Sequence, residues 1–315
     1  MNAVGADYDL PPQLHKCLHR ATRLVWISIV FMISIIVLMF MVMGSSEAMK
    51  AMWVEDTLSL VPLISFLIGV HYRRKPPDEA FPYGYRRAVL VGFLCGAMAL
   101  SSFGVYMLAD SLTTLIKAEH ASIPSIEIAG RVIWMGWLML AVLLYSVIPP
   151  VVLGRMKLPL AAALHDKVLH VSATVDKGDW LSGLAGVAGI TGIAFGLWWA
   201  DGAAAAIISF EIIKDGYENL RNSIAQLMNK RPTDIETQQK DRVVDEVENA
   251  LVRLDWVAEA RVRLREDGDV ISGEAYIVPR DHDRLIERLE DARKVAVAVD
   301  WRLHDLNMVP VRRFN

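Results

Sequence analysis

The sequence predicts a membrane all-α fold of six transmembrane helices followed by a small C-terminal α+β cytoplasmic domain. Three observations carry the prediction. The 315 residues are 54% hydrophobic, with a mean hydropathy of +0.33, which is too apolar for a soluble enzyme of this size. Six stretches approach the roughly 20 apolar residues that a helix needs to cross a hydrocarbon core. Charge rises abruptly near Lys230-Arg231-Pro232, from 34 of 229 residues before it to 35 of 86 after it. The division therefore falls between a membrane unit, residues 1–229, and a charged unit, residues 230–315. A net charge of −3 gives no electrostatic case for nucleic acid as a partner. Cys17 and Cys95 lie far apart, so neither a disulfide framework nor a thiolate metal cluster is expected.

The apolar stretches run over Leu24–Met43, Trp53–Tyr72, Ala88–Leu108, Val132–Leu153, Val168–Trp199 and Ala203–Leu220. The first lies behind more than 20 mostly polar residues and is too long for a cleavable signal peptide, so it reads as a permanent anchor. Orientation follows from lysine and arginine in the short connections. Lys16, Arg20, Arg23, Arg73, Arg74, Lys75, Arg86, Arg87, Arg155, Lys157 and Lys167 fall on one side, against Lys50, Lys117 and Arg131 on the other. This asymmetry puts both termini, and the charged tail, in the cytoplasm.

In the tail, residues 236–253 predict a helix with Val243, Val244, Val247, Leu251 and Leu254 on or near one face. Val257–Leu264 alternates like a strand, and the turn Asp267-Gly268-Asp269 leads into a second strand, Val270–Val278. A helix over Asp283–Val297 and a strand over Trp301–Val311 complete the order α-β-β-α-β. A unit of about 80 residues buries little surface and is steadier as a homodimer through residues 230–315.

Charged residues inside spans are expensive and default to function. The second stretch contains Glu55, Asp56 and Ser59, and the fifth contains Asp176, Lys177 and Asp179. Asp176 and Asp179 are helical neighbours, and either Glu55 or Asp56 could share a face with Ser59. Glu55 and Asp56 diverge from each other by about 100°. Carboxylates at similar depth on two spans build an oxygen-rich site for a divalent cation. The alternative is that Glu55 and Asp56 are interfacial residues at a span end and that Asp176 pairs with Lys177. From Gly183 onward, glycines recur every three or four residues, which suits close helix packing.

This arrangement resembles the cation diffusion facilitator family of divalent-metal transporters, in a bacterial branch. The resemblance rests on the six spans, the acids in the second and fifth, the loop Lys75-Pro-Pro-Asp-Glu-Ala-Phe-Pro-Tyr-Gly-Tyr85, the Gly178-Asp179-Trp180 motif ahead of the glycine series, and the tail. It implies a ferredoxin-like tail, location in the bacterial inner membrane, and transport rather than catalysis. The family's site takes two residues four apart from the second span and a His or Asp followed four residues later by Asp from the fifth. Those positions fall on Glu55 and Ser59, and on Val175 and Asp179. Asp56 and Asp176, one step along, are the substitutes for the weaker positions. Phe81 and Tyr85 stand where some relatives carry histidines, leaving Asp78 and Glu79, and Asn307 stands where relatives often carry a tail histidine. The tail then reads as a dimerisation platform rather than a metal sensor.

The candidate metal ligands are thus Asp179, Asp176, Glu55, Asp56 and Ser59. An oxygen-only set favours manganese or iron over zinc, unless His165 or His170 lends a nitrogen at the entrance. Carboxylates bind either a dication or protons, so protons moving inward would drive metal efflux by alternating access. The transported ion is the substrate, and no resident cofactor is expected. Metal, protons and the lipid bilayer are the partners. The rival reading, drawn from Ser59 and Val175, is a non-transporting partner or regulatory subunit. An enzyme is not supported, because H-E-x-x-H, G-x-S-x-G and Walker motifs are all missing from the sequence.

Overall fold

A computed structural model describes residues 10–314 apart from 73, 74, 76, 77, 119–122, 129, 130, 179, 236, 238 and 269. The long helices come first: α1 (Pro12–Val42), α2 (Glu47–Leu58), α3 (Leu60–Tyr72) and α4 (Ala88–Ile116). A short hairpin of β1 (Ser125–Ile128) and β2 (Arg131–Trp134) then leads into α5 (Met135–Leu164), α6 (Lys167–Gly178), α7 (Trp180–Ala194) and α8 (Ala200–Leu227). Among the described residues, four segments are long and apolar enough to cross a membrane: Pro12–Val42, Glu47–Tyr72, Ala88–Ile116 and Met135–Leu164. The fifth predicted stretch is divided between α6 and α7, and α8 carries Asp201, Glu211, Lys214, Asp215, Glu218 and Arg221 along its length.

Several boundaries differ from the expectation. The predicted fourth span begins where β2 stands, and α5 continues through Pro149, Pro150 and Pro159 to Leu164. Arg155 and Lys157 therefore lie inside a helix rather than in a connecting loop. Lys157 is tolerated there because its charge is met within the protein. The fifth stretch ends at Ala194 rather than Trp199, because Gly196 turns the chain at φ +82° ahead of α8.

One apolar cluster ties the helices together through Val25, Met32 and Ile35 of α1, Met49 and Met52 of α2, Leu143 of α5 and Ile208 of α8. Large apolar side chains such as Val30, Phe40, Val105 and Leu144 remain on the outside, as a lipid-facing surface requires. The tail has its own cluster. It consists of α9 (Val243–Val252), β3 (Val257–Asp267), β4 (Val270–Pro279), α10 (Leu285–Val297) and β5 (Leu303–Pro310). Its sheet has the order β3-β4-β5, antiparallel across the first pair and parallel across the second, the parallel pair being joined through α10. The first tail helix starts at Val243 rather than residue 236, behind a bridge between Thr233 and Lys240.

Candidate functional site

The site begins at a break in the second long helix. Pro62 has no N–H to give to the carbonyl four residues back, at Leu58, and α2 gives way to α3 at Ser59. Ser59 turns inward on itself: its N–H and its hydroxyl both donate to the Glu55 carbonyl, at 2.9 and 3.0 Å. The Glu55 side chain points instead towards α7.

Glycines decide how near α7 comes. A Cβ on Gly186 would lie 2.7 Å from Met52 Sδ on α2, and one on Gly189 would lie 2.8 Å from Ala204 Cβ on α8. At Gly189 the rigid Ala204 Cβ leaves room for glycine alone, while at Gly186 the flexible Met52 side chain would have to shift, and Ser182, one turn earlier on the same stripe, is carried into the junction of the three helices. Its hydroxyl lies 3.1 Å from Glu55 Oε1 and 3.0 Å from Glu211 Oε2 of α8. Asp215, one turn beyond Glu211, lines the same cleft as Glu55, Ser59, Val175 and Asn219. The cleft is partly open, and its empty space of about 490 Å³ includes open solvent. Among the described residues neither Glu55 nor Glu211 has a lysine or arginine partner, so oxygen atoms dominate the polar part of the wall.

Residues 23–228 match the cation efflux transmembrane domain. The chain belongs to the cation efflux family. Like other members of the family, it is an integral membrane transporter of cations and not an enzyme. It is 25% identical over 279 residues to the manganese efflux system protein MneP of Bacillus subtilis, covering 86% of this chain and 87% of that one. It is 26% identical over 200 residues to MneS of the same organism, covering 64% and 65%. An uncharacterised transporter of Methanocaldococcus jannaschii is 26% identical over 190 residues, covering 60% and 62%.

Within this cation efflux protein the expected ligands are distributed unevenly. Glu55 and Ser59 line the cleft, and so does Val175, the family position where this chain carries no ligand. Asp56 is buried on α2 but does not line the cleft. Asp176 is held elsewhere, in an ion pair with Lys157 of α5, whose ammonium also donates to Ser172 Oγ at 3.0 Å. The two charged side chains are 4% and 0% exposed, so each is the other's replacement for water. The partner is Lys157, nineteen residues back on α5; the Lys177 side chain lies outside the described residues. Asp179 lies outside the described residues. Without it, no three His, Cys, Asp or Glu side chains among the described residues are grouped to hold a metal ion.

Two of the other candidates, His165 and Asp78, stand in turns. His165 caps α5 in the left-handed region, at φ +48°. Asp78 accepts from the Ala80 and Phe81 amides and from the Tyr85 hydroxyl, which makes it a turn residue. Ser182, Glu211 and Asp215 escaped the sequence reading, although signals for them existed. Ser182, Gly186 and Gly189 share one helical stripe, and Glu211 and Asp215 are four apart inside an apolar stretch.

Proposed function

We propose that the chain exports a divalent metal ion, manganese first among the candidates and iron second, from the cytoplasm in exchange for protons. In this reading residues 1–229 form six spans with both termini in the cytoplasm, within a bacterial inner membrane. Residues 230–315 pair two copies. The ligands are Glu55 and Asp179, with Ser59 at the wall and Glu211 and Asp215 completing the set from α8. Asp56 and Asp176 are assigned supporting roles outside the first coordination sphere.

The observation that carries this reading is the convergence of Glu55 and Glu211 on one serine hydroxyl beside a cleft. Hard carboxylate and hydroxyl oxygens suit manganese better than zinc or copper, which favour imidazole and thiolate. The Bacillus relatives, both manganese efflux system proteins, point the same way. Proton exchange is supported by hydrogen counting. A hydroxyl has one hydrogen to give, and Ser182 touches two carboxylates, so the second contact forms when one of them carries a proton. An entering dication displaces that proton, and the reverse exchange releases the metal.

The test is manganese flux into proteoliposomes under an imposed pH gradient, with wild type, Glu55→Ala and Asp179→Ala compared at equal amounts of folded protein. Each substitution is expected to reduce flux about 100-fold, the scale of losing a metal-coordinating group or its close support. Flux that persists unchanged in Asp179→Ala would remove the proposed site. A panel of manganese, iron, cobalt and zinc in the same assay ranks the metals.

A further inference from the structure

The first turn of α2 is fastened to the first turn of α8 by one carboxylate. Asp201, the second residue of α8, is 1% exposed. Its Oδ1 accepts the Ser46 hydroxyl at 2.6 Å and the Ala48 amide at 3.4 Å, and its Oδ2 accepts the Glu47 amide at 2.6 Å. Ser46 is the N-cap of α2. Its single hydrogen goes to Asp201, and its oxygen accepts from the Met49 amide at 3.2 Å. The carboxylate therefore satisfies two amides that the start of α2 cannot pair within itself, and it lies at the positive ends of both helices.

The helices joined in this way are the two that bring Glu55 and Glu211 to Ser182. Glu55 stands eight residues beyond Glu47, and Glu211 ten beyond Asp201, about 12 and 15 Å along their helices. The two sides of that pair differ. Away from Asp201 lies the cleft, whose α2–α3 and α8 lining runs from Glu55 to Pro62 and from Ile212 to Asn219. Towards Asp201, Met49, Ala51, Ala205 and Ile208 are fully buried, and a Cβ on Gly189 of α7 would lie 2.8 Å from Ala204 Cβ. Among the described residues the site is thus open at one end and packed shut at the other, and Asp201 ties the rim of the shut end. A hydrogen-bonded carboxylate suits a closure that has to part again, because water entering at the rim can take over each of its bonds.

We propose that Asp201 is a positioning residue for transport: it latches α2 to α8 and so holds the site shut on the outer face while the cleft loads from the cytoplasm. The inference rests on reading that cleft as the cation site, in the orientation proposed above. Release of the cation then requires the latch to part, with water replacing Asp201 at Ser46 and at the Glu47 amide.

Thiol labelling of the full-length chain in spheroplasts tests it, with Cys17→Ser and Cys95→Ser as the background and a membrane-impermeant charged maleimide as the probe. The reporter is Ala205→Cys, because Ala205 is fully buried one turn beyond Asp201 on the same face of α8. With the latch intact the outward-open form is a minor state, on the order of 0.1–10%, and Asp201→Ala is expected to speed labelling about tenfold. Asp201→Asn keeps one acceptor and falls between. Ser46→Ala shifts the rate in the same direction by less, and adds little to Asp201→Ala because their bond is already gone. Ile35→Cys, equally buried on α1, should stay unlabelled in every variant. Labelling there as well would show a general loss of packing and overturn the proposal. Unchanged labelling of Ala205→Cys in Asp201→Ala would overturn it too, and so would labelling confined to inside-out vesicles, which puts the latch on the cytoplasmic face. In proteoliposomes Asp201→Ala should raise the KM for manganese about fivefold with Vmax near wild type, since fewer transporters present the loading form. A fall in Vmax at constant KM would contradict the latch. The labelling needs no metal: if wild type carries no manganese, the cation reading fails and the labelling still decides whether Asp201 closes this end.

Discussion

Two carboxylate neighbourhoods inside the helices meet the same problem in opposite ways. A carboxylate withdrawn from water demands compensation, and Asp176 obtains it from the chain's own ammonium at Lys157, with Ser172 taking another of the lysine's hydrogens. Its charge is balanced within the protein. Glu55 and Glu211 instead share one hydroxyl, with Asp215 nearby in the same cleft wall and no described lysine or arginine to balance them. Their charge meets no described counter-charge from the protein itself. The difference teaches that an acid among the helices is not in itself a cation ligand: where the protein supplies the counter-charge, as Lys157 does for Asp176, a structural role is enough.

Breaking Asp176's pair gives the largest stability effect. Lys157→Met leaves an uncompensated buried carboxylate and is expected to destabilise the protein by about 3–5 kcal/mol, read as a lower thermal unfolding midpoint in detergent. Lys157→Met with Asp176→Leu should regain most of that stability, because an apolar pair of similar volume replaces a balanced charge pair at little net cost. The double variant should also retain manganese flux. If it loses flux as completely as Glu55→Ala, then Asp176 belongs to the cation path and the contrast between the two neighbourhoods collapses.

A smaller effect sharpens the other side of the comparison. Glu211→Gln and Asp215→Asn keep size and shape while removing charge, and each is expected to raise the manganese KM about tenfold, the lower end for groups that support a metal ligand. Stability should stay at wild type or rise with Glu211→Gln, which removes a half-buried charge without a described cationic partner, and stay near wild type with Asp215→Asn, whose carboxylate is also attracted by Lys214. Stability that falls with each of them instead, at constant KM, would place Glu211 and Asp215 in the structural class with Asp176.

The sequence made the helical plan and the tail legible for different reasons. Four of the six apolar runs stand as segments long and apolar enough to cross a membrane, and α10, β4 and β5 fell within a few residues of their expected bounds because alternation and turn residues mark them. The end of α5 was misplaced because Arg155 and Lys157 look like loop charges unless the partner at Asp176 is known, and such pairing is a tertiary fact. Glu55, Ser59 and Val175 do share one cleft, as the family's spacing implies. The contribution of α8 was hidden because its acids are read one helix at a time. It takes the close approach at Gly186 and Gly189 to bring Ser182 between Glu55 and Glu211.

The smallest predicted effect concerns the seam between the helices and the tail, where the two ends of the comparison are joined. His165 sits half-buried in the turn between α5 and α6 and faces Arg302, whose guanidinium is held by Asp241 at 2.7 Å and by Asp300 at 2.7 Å. Burial, and then the positive charge of Arg302, push its pKa below the ordinary value, against opposing pulls from Asp241, Asp300 and Asp234. The unfolded chain therefore takes up this proton first, so the contribution to stability is complete above about pH 6.5 and declines as pH falls from there towards the folded value. Asp241 stays silent in that window. Burial alone would raise its pKa, but hydrogen bonds from Arg302 and the Val243 amide leave it below the usual carboxylate range, so its contribution is lost only in stronger acid. Lowering the pH from 7.5 to 5.5 should thus slightly weaken hydrogen-exchange protection at the seam in wild type. His165→Asn should show no such change, since asparagine tolerates the left-handed backbone at φ +48° and does not titrate. Equal pH dependence in the two proteins would assign the effect to another group and leave the Arg302 network alone in holding the tail at this turn.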